Sequence, residues 1–364
     1  MSKSKQIFKS NVGYGPRGEY FHYVVVTNGF ITGFGEEQGN YAGGIYAAPD
    51  HQENRFLTEK EVLKEHYPEL YEQIKDIPLA KVYRPQNHAL YKPKGKAGEY
   101  APWAVNFYTG CSNDCDYCYC KRGVFSRVWS NEPRLKKCFK DEKDALDVFE
   151  KEFYYRYCRE DLRRSGIFFS FTTDPLLPTT GGLTLDAVNI ARRKGVPSSI
   201  LTKRADGALL FVECYATLVR EYDPFRQGFD NLAIGFTLTG HDELEKGAST
   251  NEERINAMRY IHSLGIKTFA SIEPVIDFQS AEAVILCTLG FCDLYKIGLL
   301  SGSKKPDYLT LIRFVEDMSQ KIADSGAKVY WKDSITKALD GAILVHPVVV
   351  ESDYSLFNPH KCRK

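Results

Sequence analysis

The chain has 364 residues, 43% of them apolar and 26% charged, with 48 basic side chains against 47 acidic ones. That composition excludes a disordered, collagen-like or all-coiled-coil chain, and a net charge of +1 excludes a global basic field drawing the protein onto nucleic acid or membrane. No apolar run approaches the ~20 residues of a membrane helix, and MSKSKQIFKS lacks the apolar stretch of a secretory signal, so a cytoplasmic protein without a membrane partner is expected.

Residues 1–98 read as an N-terminal extension of mixed β and α character. From Tyr20 to Phe34 the chain is aromatic and β-branched on either side of Asn28-Gly29, the strongest short hairpin signal. Glycines crowd positions 33–44, with no G-x-G-x-x-G and no helix directly after them, so a dinucleotide turn is not read there. A polar stretch at about 58–75 predicts a helix, with Thr58 and Glu61 spaced as a capping box. Pro85, Pro93, Gly95 and Gly98 mark a linker or crossing loop.

From Trp103 short β-rich runs alternate with helical segments. The runs start near 103, 167, 198, 231, 266, 292 and 327. After the first gap the spacing is that of one βα unit. Helices are expected at 183–194 and 251–264, each stopped by a glycine, Gly195 and Gly265. Repeated βα units predict an α/β fold with a parallel sheet. Without a dinucleotide turn, a partial (β/α)6 TIM-type barrel over residues 99–300 is favoured, with a βα segment at 301–364 closing or extending it.

Ten cysteines occur, and four of them, Cys111, Cys115, Cys118 and Cys120, fall within ten residues. Such clustering argues for metal or redox chemistry rather than a disulfide framework. The loop follows the first strand of the barrel region, the face on which such folds keep their active sites. Three closely spaced thiolates can wrap three corners of an iron–sulfur cubane and leave the fourth iron open. Four cysteines can also hold tetrahedral zinc.

The C-x3-C-x2-C spacing, with aromatic Tyr117 before the last cysteine, resembles the signature of the radical S-adenosylmethionine superfamily. The resemblance implies a [4Fe–4S] cluster on Cys111, Cys115 and Cys118, a partial or full (β/α) barrel, and reductive cleavage of S-adenosylmethionine to a 5′-deoxyadenosyl radical that takes hydrogen from a substrate. It also implies a one-electron donor such as flavodoxin or ferredoxin. Further motifs recur in order: Phe169 to Pro178 (FSFTTDPLLP), Leu201-Thr-Lys203, and Ala270 to Pro274 (ASIEP). Over about 105–300 this series is similar to the spore photoproduct lyase-like branch, which implies lyase-type chemistry and DNA or a nucleotide as substrate.

Several candidates end strands and so face the barrel mouth. Thr172, Thr173 and Asp174 end the second; Asp174-Pro175 is also a turn or cap pair. Lys203 ends the third and is implied to pair the methionine carboxylate, while Tyr117 is implied to pack on the adenine. Thr237 and Thr239 end the fourth, as hydrogen-bonding groups or as plain strand formers. Glu273 ends the fifth, either pairing with a cation or binding ribose hydroxyls or substrate. Lys296 and Lys332, the latter beside Trp331, end later strands as substrate contacts or rim lysines. Arg156, Arg159, Arg163 and Arg164 form either a solvated helix face or a phosphate-binding one. Cys120 is left unassigned. The competing reading is a non-enzymatic protein whose cluster is structural or sensory, closed by Cys120.

Overall fold

The computed structural model describes residues 5–10, 20–38, 63–64, 67–78, 88–122, 126–127, 129–155, 159–222, 229–300, 302, 306–340 and 346–358. The chain divides into two compact units, residues 1–86 with 151–159, and residues 87–150 with 160–364.

The first unit holds a three-stranded antiparallel sheet of β1 (Lys5–Lys9), β2 (Tyr20–Thr27) and β3 (Phe30–Gln38). The hairpin read at Asn28-Gly29 is present: Thr27 pairs with Phe30, and φ is 53° at Asn28 and 82° at Gly29. Positive φ at both central positions is the type I′ turn whose twist matches the strands. Val24, Val26 and Ile31 pack with Leu70 and Ile74 of α1 (Pro68–Ile74). Pro68 opens that helix. The expected Thr58–Glu61 capping box, and glycines 39–44, lie outside the described residues.

The second unit is built on an eight-stranded sheet. Its strands are β4 (Leu90–Tyr91), β5 (Ala104–Val105), β8 (Ile167–Phe169), β9 (Ser198–Thr202), β10 (Leu232–Thr237), β11 (Lys267–Val275), β12 (Leu294–Leu299) and β13 (Lys328–Trp331). A separate two-stranded ladder joins β6 (Tyr108–Thr109) to β7 (Arg134–Leu135). Every pairing from β5 to β13 is parallel, and β4 is antiparallel at the edge. The helices are α2 (Glu142–Tyr155), α3 (Arg159–Ser165), α4 (Gly181–Arg193), α5 (Ala205–Tyr222), α6 (Asn251–Ser263), α7 (Phe278–Thr288), α8 (Tyr308–Asp324) and α9 (Asp333–Thr336). The sheet order follows chain order. With right-handed crossovers, that puts the connecting helices on one face, and a singly wound sheet curls around its other face. The result is an open, barrel-like α/β sheet. The run read near 327 is β13, which pairs with β12 and extends the sheet.

Strand alternation makes the inner face change character along its length. Phe168, Ala233, Phe269 and Leu294 pack together toward the strand N-termini, covered by Val350, Tyr354, Leu356 and Phe357. Two or more residues further along, the same face presents Ser170, Lys203, Thr237, Ser271, Glu273 and Lys332. Gly235 permits this packing, since a Cβ there would stand 2.3 Å from the Phe269 ring. The edge at β13 is extended by Val349, which bridges Val329 in parallel. Gly195 and Gly265 follow α4 and α6 with φ of 71° and 80°, the left-handed stop read from the sequence.

Candidate active site

The cysteine loop begins where β6 ends. At Gly110 φ is 84°, and a Cβ would meet Ser130 O at 2.9 Å, so the turn requires glycine. Cys111 N then donates to Ser130 O at 2.9 Å, and Cys118 N to Cys115 O at 3.2 Å. Cys111, Cys115, Cys118 and Cys120 all line one cavity of ≈ 1080 Å³ at the C-terminal ends of the parallel strands. Among the described residues, no three His, Cys, Asp or Glu side chains converge as ligands of one metal ion. Thiols lining one cavity wall are the donor type of an iron–sulfur cluster and of a zinc site alike. Cys120 is turned toward Phe171 O, with its sulfur 3.8 Å away. Burial, with the Asp174 charge, pushes the Cys111 thiol up to about 12. Burial also raises Cys115. Cys118 is lowered to about 6, chiefly by a hydrogen bond from Cys120.

Two buried oxygens in the cavity wall, Asn113 Oδ1 and Thr173 Oγ1, have no hydrogen-bond partner. Buried polar atoms are normally satisfied, so this wall is built to receive a polar group. Asp174, by contrast, is fully engaged. Its Oδ1 accepts from Leu176 N at 3.0 Å and Thr202 Oγ1 at 2.7 Å, and its Oδ2 from Asn113 Nδ2 at 2.7 Å and Lys203 N at 2.8 Å. The carboxylate lines the cavity, yet its hydrogen bonds tie the β8 and β9 ends to the cysteine loop. Thr172 donates to Tyr108 O at 2.6 Å, which fixes its hydroxyl against the same loop.

Lys203 lies on the cavity wall, with Nζ 5.3 Å from the Tyr117 ring centroid and 3.9 Å from Glu245 Oε1. Burial alone would lower its pKa, but the facing Tyr117, Cys115 and Glu245 outweigh that and hold it well above the usual lysine value. Glu245 is the functional residue that sequence reading missed. Its side chain is wholly buried, accepts hydrogen bonds from Tyr117 OH and Arg254 Nη2, and receives Thr239 Oγ1 at 3.3 Å. Thr239 therefore supports Glu245, and among the two threonines only Thr237 lines the cavity. Glu245 sits in a charged loop that reads as solvated. The available signal was Thr250 with Glu253, a capping box that starts α6 and so sets Arg254 in its first turns.

Opposite the cysteines, Glu273 Oε2 accepts from Lys332 Nζ at 2.6 Å and Tyr100 OH at 2.7 Å. Lys332 also reaches Glu99 Oε2 at 3.2 Å and lies 4.1 Å from the Tyr100 ring centroid. Gly298 leaves room for the pair, since a Cβ there would meet Glu273 Oε1 and Lys332 Cδ at 3.0 Å. Glu273 is thus paired with a cation and also lines the cavity. Lys296 does not line this cavity: it is buried and donates to Glu99 O at 3.1 Å and Tyr100 O at 2.8 Å.

The outer cavity is cationic. Lys94, Lys96, Lys121, Arg122 and Lys136 line it, together with Asp114, which pairs with Lys121 at 2.5 Å. Burial lowers Lys136, whose Nζ lies 5.9 Å from the Tyr91 ring centroid. Of the arginines considered for phosphate contacts, Arg163 and Arg164 lie elsewhere. Arg163 donates to Lys194 O at 3.4 Å, and neither Arg163 nor Arg164 lines the cavity, because α3 feeds the N-terminal end of β8. Arg156 lies outside the described residues.

No protein-family profile matches the chain. An uncharacterized protein of Methanocaldococcus jannaschii is 25% identical over 209 residues, which are 55% of this chain and 71% of that one. Among solved structures, spore photoproduct lyase in complex with a dinucleoside spore photoproduct matches 67% of this chain and 79% of its own, at 15% identity and a TM-score of 0.46. SuiB of Streptococcus suis bound to S-adenosylmethionine matches 79% of this chain and 58% of its own, at 12% identity and a TM-score of 0.42. In that match the chain spans less than two thirds of SuiB, and in two other SuiB structures it spans 74% and 75%. Likenesses this distant decide nothing about the chemistry of the cavity. Among the described residues, no helix is long and apolar enough to cross a membrane.

Proposed function

We propose that the chain is a radical S-adenosylmethionine enzyme that holds a [4Fe–4S] cluster on Cys111, Cys115 and Cys118. One observation carries this reading: the three thiols of the C-x3-C-x2-C loop open into one ≈ 1080 Å³ cavity at the C-terminal ends of a singly wound parallel sheet. When bound, the cluster and S-adenosylmethionine supply one-electron cleavage of the sulfonium and a 5′-deoxyadenosyl radical that removes a hydrogen atom from substrate.

The protein's part is to bind, orient and exclude water. The Lys203 ammonium is positioned for the cofactor's carboxylate, since its approach to Glu245 is long at 3.9 Å and the facing groups keep it charged. Asn113 Oδ1 and Thr173 Oγ1 offer unfilled polar contacts beside the thiols. Glu273 presents its second carboxylate oxygen to donors such as ribose hydroxyls, while Lys332 and Tyr100 hold the first. Tyr91, Tyr100 and Phe171 give the cavity an aromatic wall that keeps water from a reactive radical. In this reading the C-x3-C-x2-C spacing supplies the three thiolate ligands, and Cys120, which also lines the cavity, supplies none.

The substrate is anionic in this reading, a nucleotide or nucleic-acid strand. The chain carries a net charge of only +1, yet its cavity mouth concentrates Lys94, Lys96, Arg122 and Lys136 around aromatic side chains. Anaerobic reconstitution of single-cysteine variants tests the cluster assignment. Cys111→Ala, Cys115→Ala and Cys118→Ala are each expected to lose the iron, and Cys120→Ala to keep it. Loss of iron in Cys120→Ala to the same extent would overturn the three-ligand reading.

A further inference from the structure

The loop between β10 and α6 grips the cysteine loop from behind. Asp116 N donates to Leu244 O at 2.9 Å, and Gly247 N donates to Asn113 O at 3.0 Å. These two backbone bonds bracket Cys115. The strands of chain pass so closely that a Cβ on Gly247 would stand 2.1 Å from Ser112 O and 3.0 Å from Asn113 Cα. Side chains add to the grip: Tyr117 OH donates to Glu245, and Lys246 Nζ lies 3.4 Å from Asp116 Oδ1.

The grip is itself anchored. Glu245 pairs with Arg254, and neither side chain has exposed surface. Arg254 reaches Thr237 O at 2.6 Å through Nη1 and Thr250 O at 3.3 Å through Nε, joining the end of β10 to the start of α6. The Thr250–Glu253 capping box fixes that helix start. The same loop also holds the β9 end, because Ser249 N donates to Lys203 O at 3.0 Å and Arg204 Nη1 to Gly247 O at 2.8 Å. A buried ion pair is a poor source of stability, because desolvation offsets its attraction. Its use here is directional: it fixes one loop at one height beneath Cys115 and Tyr117.

We infer that the β10–α6 loop is a second cluster-holding element, with Gly247, Glu245 and Arg254 as positioning residues that set the cysteine loop. The inference rests on the cluster reading above and adds residues that contribute no ligand. Its consequence is that cluster retention depends on a loop more than a hundred residues downstream of the thiols.

The test compares two glycine clashes in the full-length chain. Gly247→Ala strikes the cysteine loop. Gly166→Ala is a backbone insult at the opposite, N-terminal end of β8, since φ there is 74° and a Cβ would stand 3.0 Å from Pro197 O. Both variants and the wild type are reconstituted anaerobically, iron and sulfide are counted, and cluster loss to a chelator is timed. Circular dichroism and thermal melting report the fold. Gly247→Ala is expected to lose its cluster about tenfold faster than wild type, as groups that orient metal ligands do when changed. Gly166→Ala is expected to lose it at the wild-type rate. Tyr117→Phe, which deletes only the hydroxyl that reaches Glu245, serves if Gly247→Ala fails to fold and is expected to shift the rate in the same direction. Equal loss in Gly247→Ala and Gly166→Ala, or wild-type retention in Gly247→Ala or Tyr117→Phe, overturns the inference. A wild type that takes up no iron overturns the cluster reading beneath it, a different result from either.

Discussion

Cys118 is the loop thiol most inclined to ionise. A hydrogen bond from Cys120 lowers it to about 6, whereas burial beside Asp174 pushes Cys111 up to about 12. The thiolate is the reactive form. In iron-free protein at pH 7, iodoacetamide with peptide mapping is therefore expected to modify the hydrogen-bonded pair Cys118 and Cys120 before Cys111 and Cys115; equal rates at all four would contradict that hydrogen bond. Lys332 makes a second case at this scale. It is 1% exposed and holds both Glu99 and Glu273. Lys332→Met leaves two carboxylates without their cation and is expected to cost about 3–5 kcal/mol in denaturant unfolding. The thiols were legible from their spacing, and Lys203 and Glu273 because residues that end strands of a βα repeat face the mouth. Glu245 was not, because burial of a loop carboxylate depends on Arg254, a partner on the following helix. Asp174 was legible as a mouth residue, but its four hydrogen bonds come from three separate segments, which no local pattern announces.

Among the elements, the parallel strands were readable from β-rich runs at regular spacing, and the glycine stops after α4 and α6 from their position alone. The two-residue strands β4, β6 and β7 were not, since two residues carry no periodicity. Nor was the cover formed by Val350, Tyr354, Leu356 and Phe357, which lies in a segment without regular structure. Gly235 shows how packing decides a strand residue. Propensity disfavours glycine in a strand, yet the Phe269 ring occupies the space a side chain would take. Gly235→Ala is expected to cost about 1–3 kcal/mol by overpacking, read by urea unfolding. A neutral or stabilising outcome would mean that the inner face is not packed as described.

For the whole molecule, the buried lysine pair sets a pH dependence. Burial, then the charge of Lys332, pushes Lys296 down to about 7 from the ordinary 10.5. Between those values the unfolded chain binds a proton that the folded chain has released, so this group adds stability as pH rises through that window. Below 7 the fold carries the full cost of the buried charge. The wild-type Tm relative to Lys296→Met is expected to rise between pH 7 and 10, and a constant difference would contradict the burial of a titrating Lys296. The cationic mouth, the unfilled polar wall and the thiols meet in one cavity at the end of the sheet where β/α folds carry chemistry. The most direct measurement is 5′-deoxyadenosine formation, followed by chromatography, after anaerobic reconstitution with iron and sulfide and reduction by dithionite in the presence of S-adenosylmethionine. Deoxyadenosine is expected from the wild type and from Cys120→Ala, and not from Cys111→Ala, Cys115→Ala or Cys118→Ala. A fully assembled cluster that yields none, in wild type and Cys120→Ala alike, would contradict a radical S-adenosylmethionine enzyme.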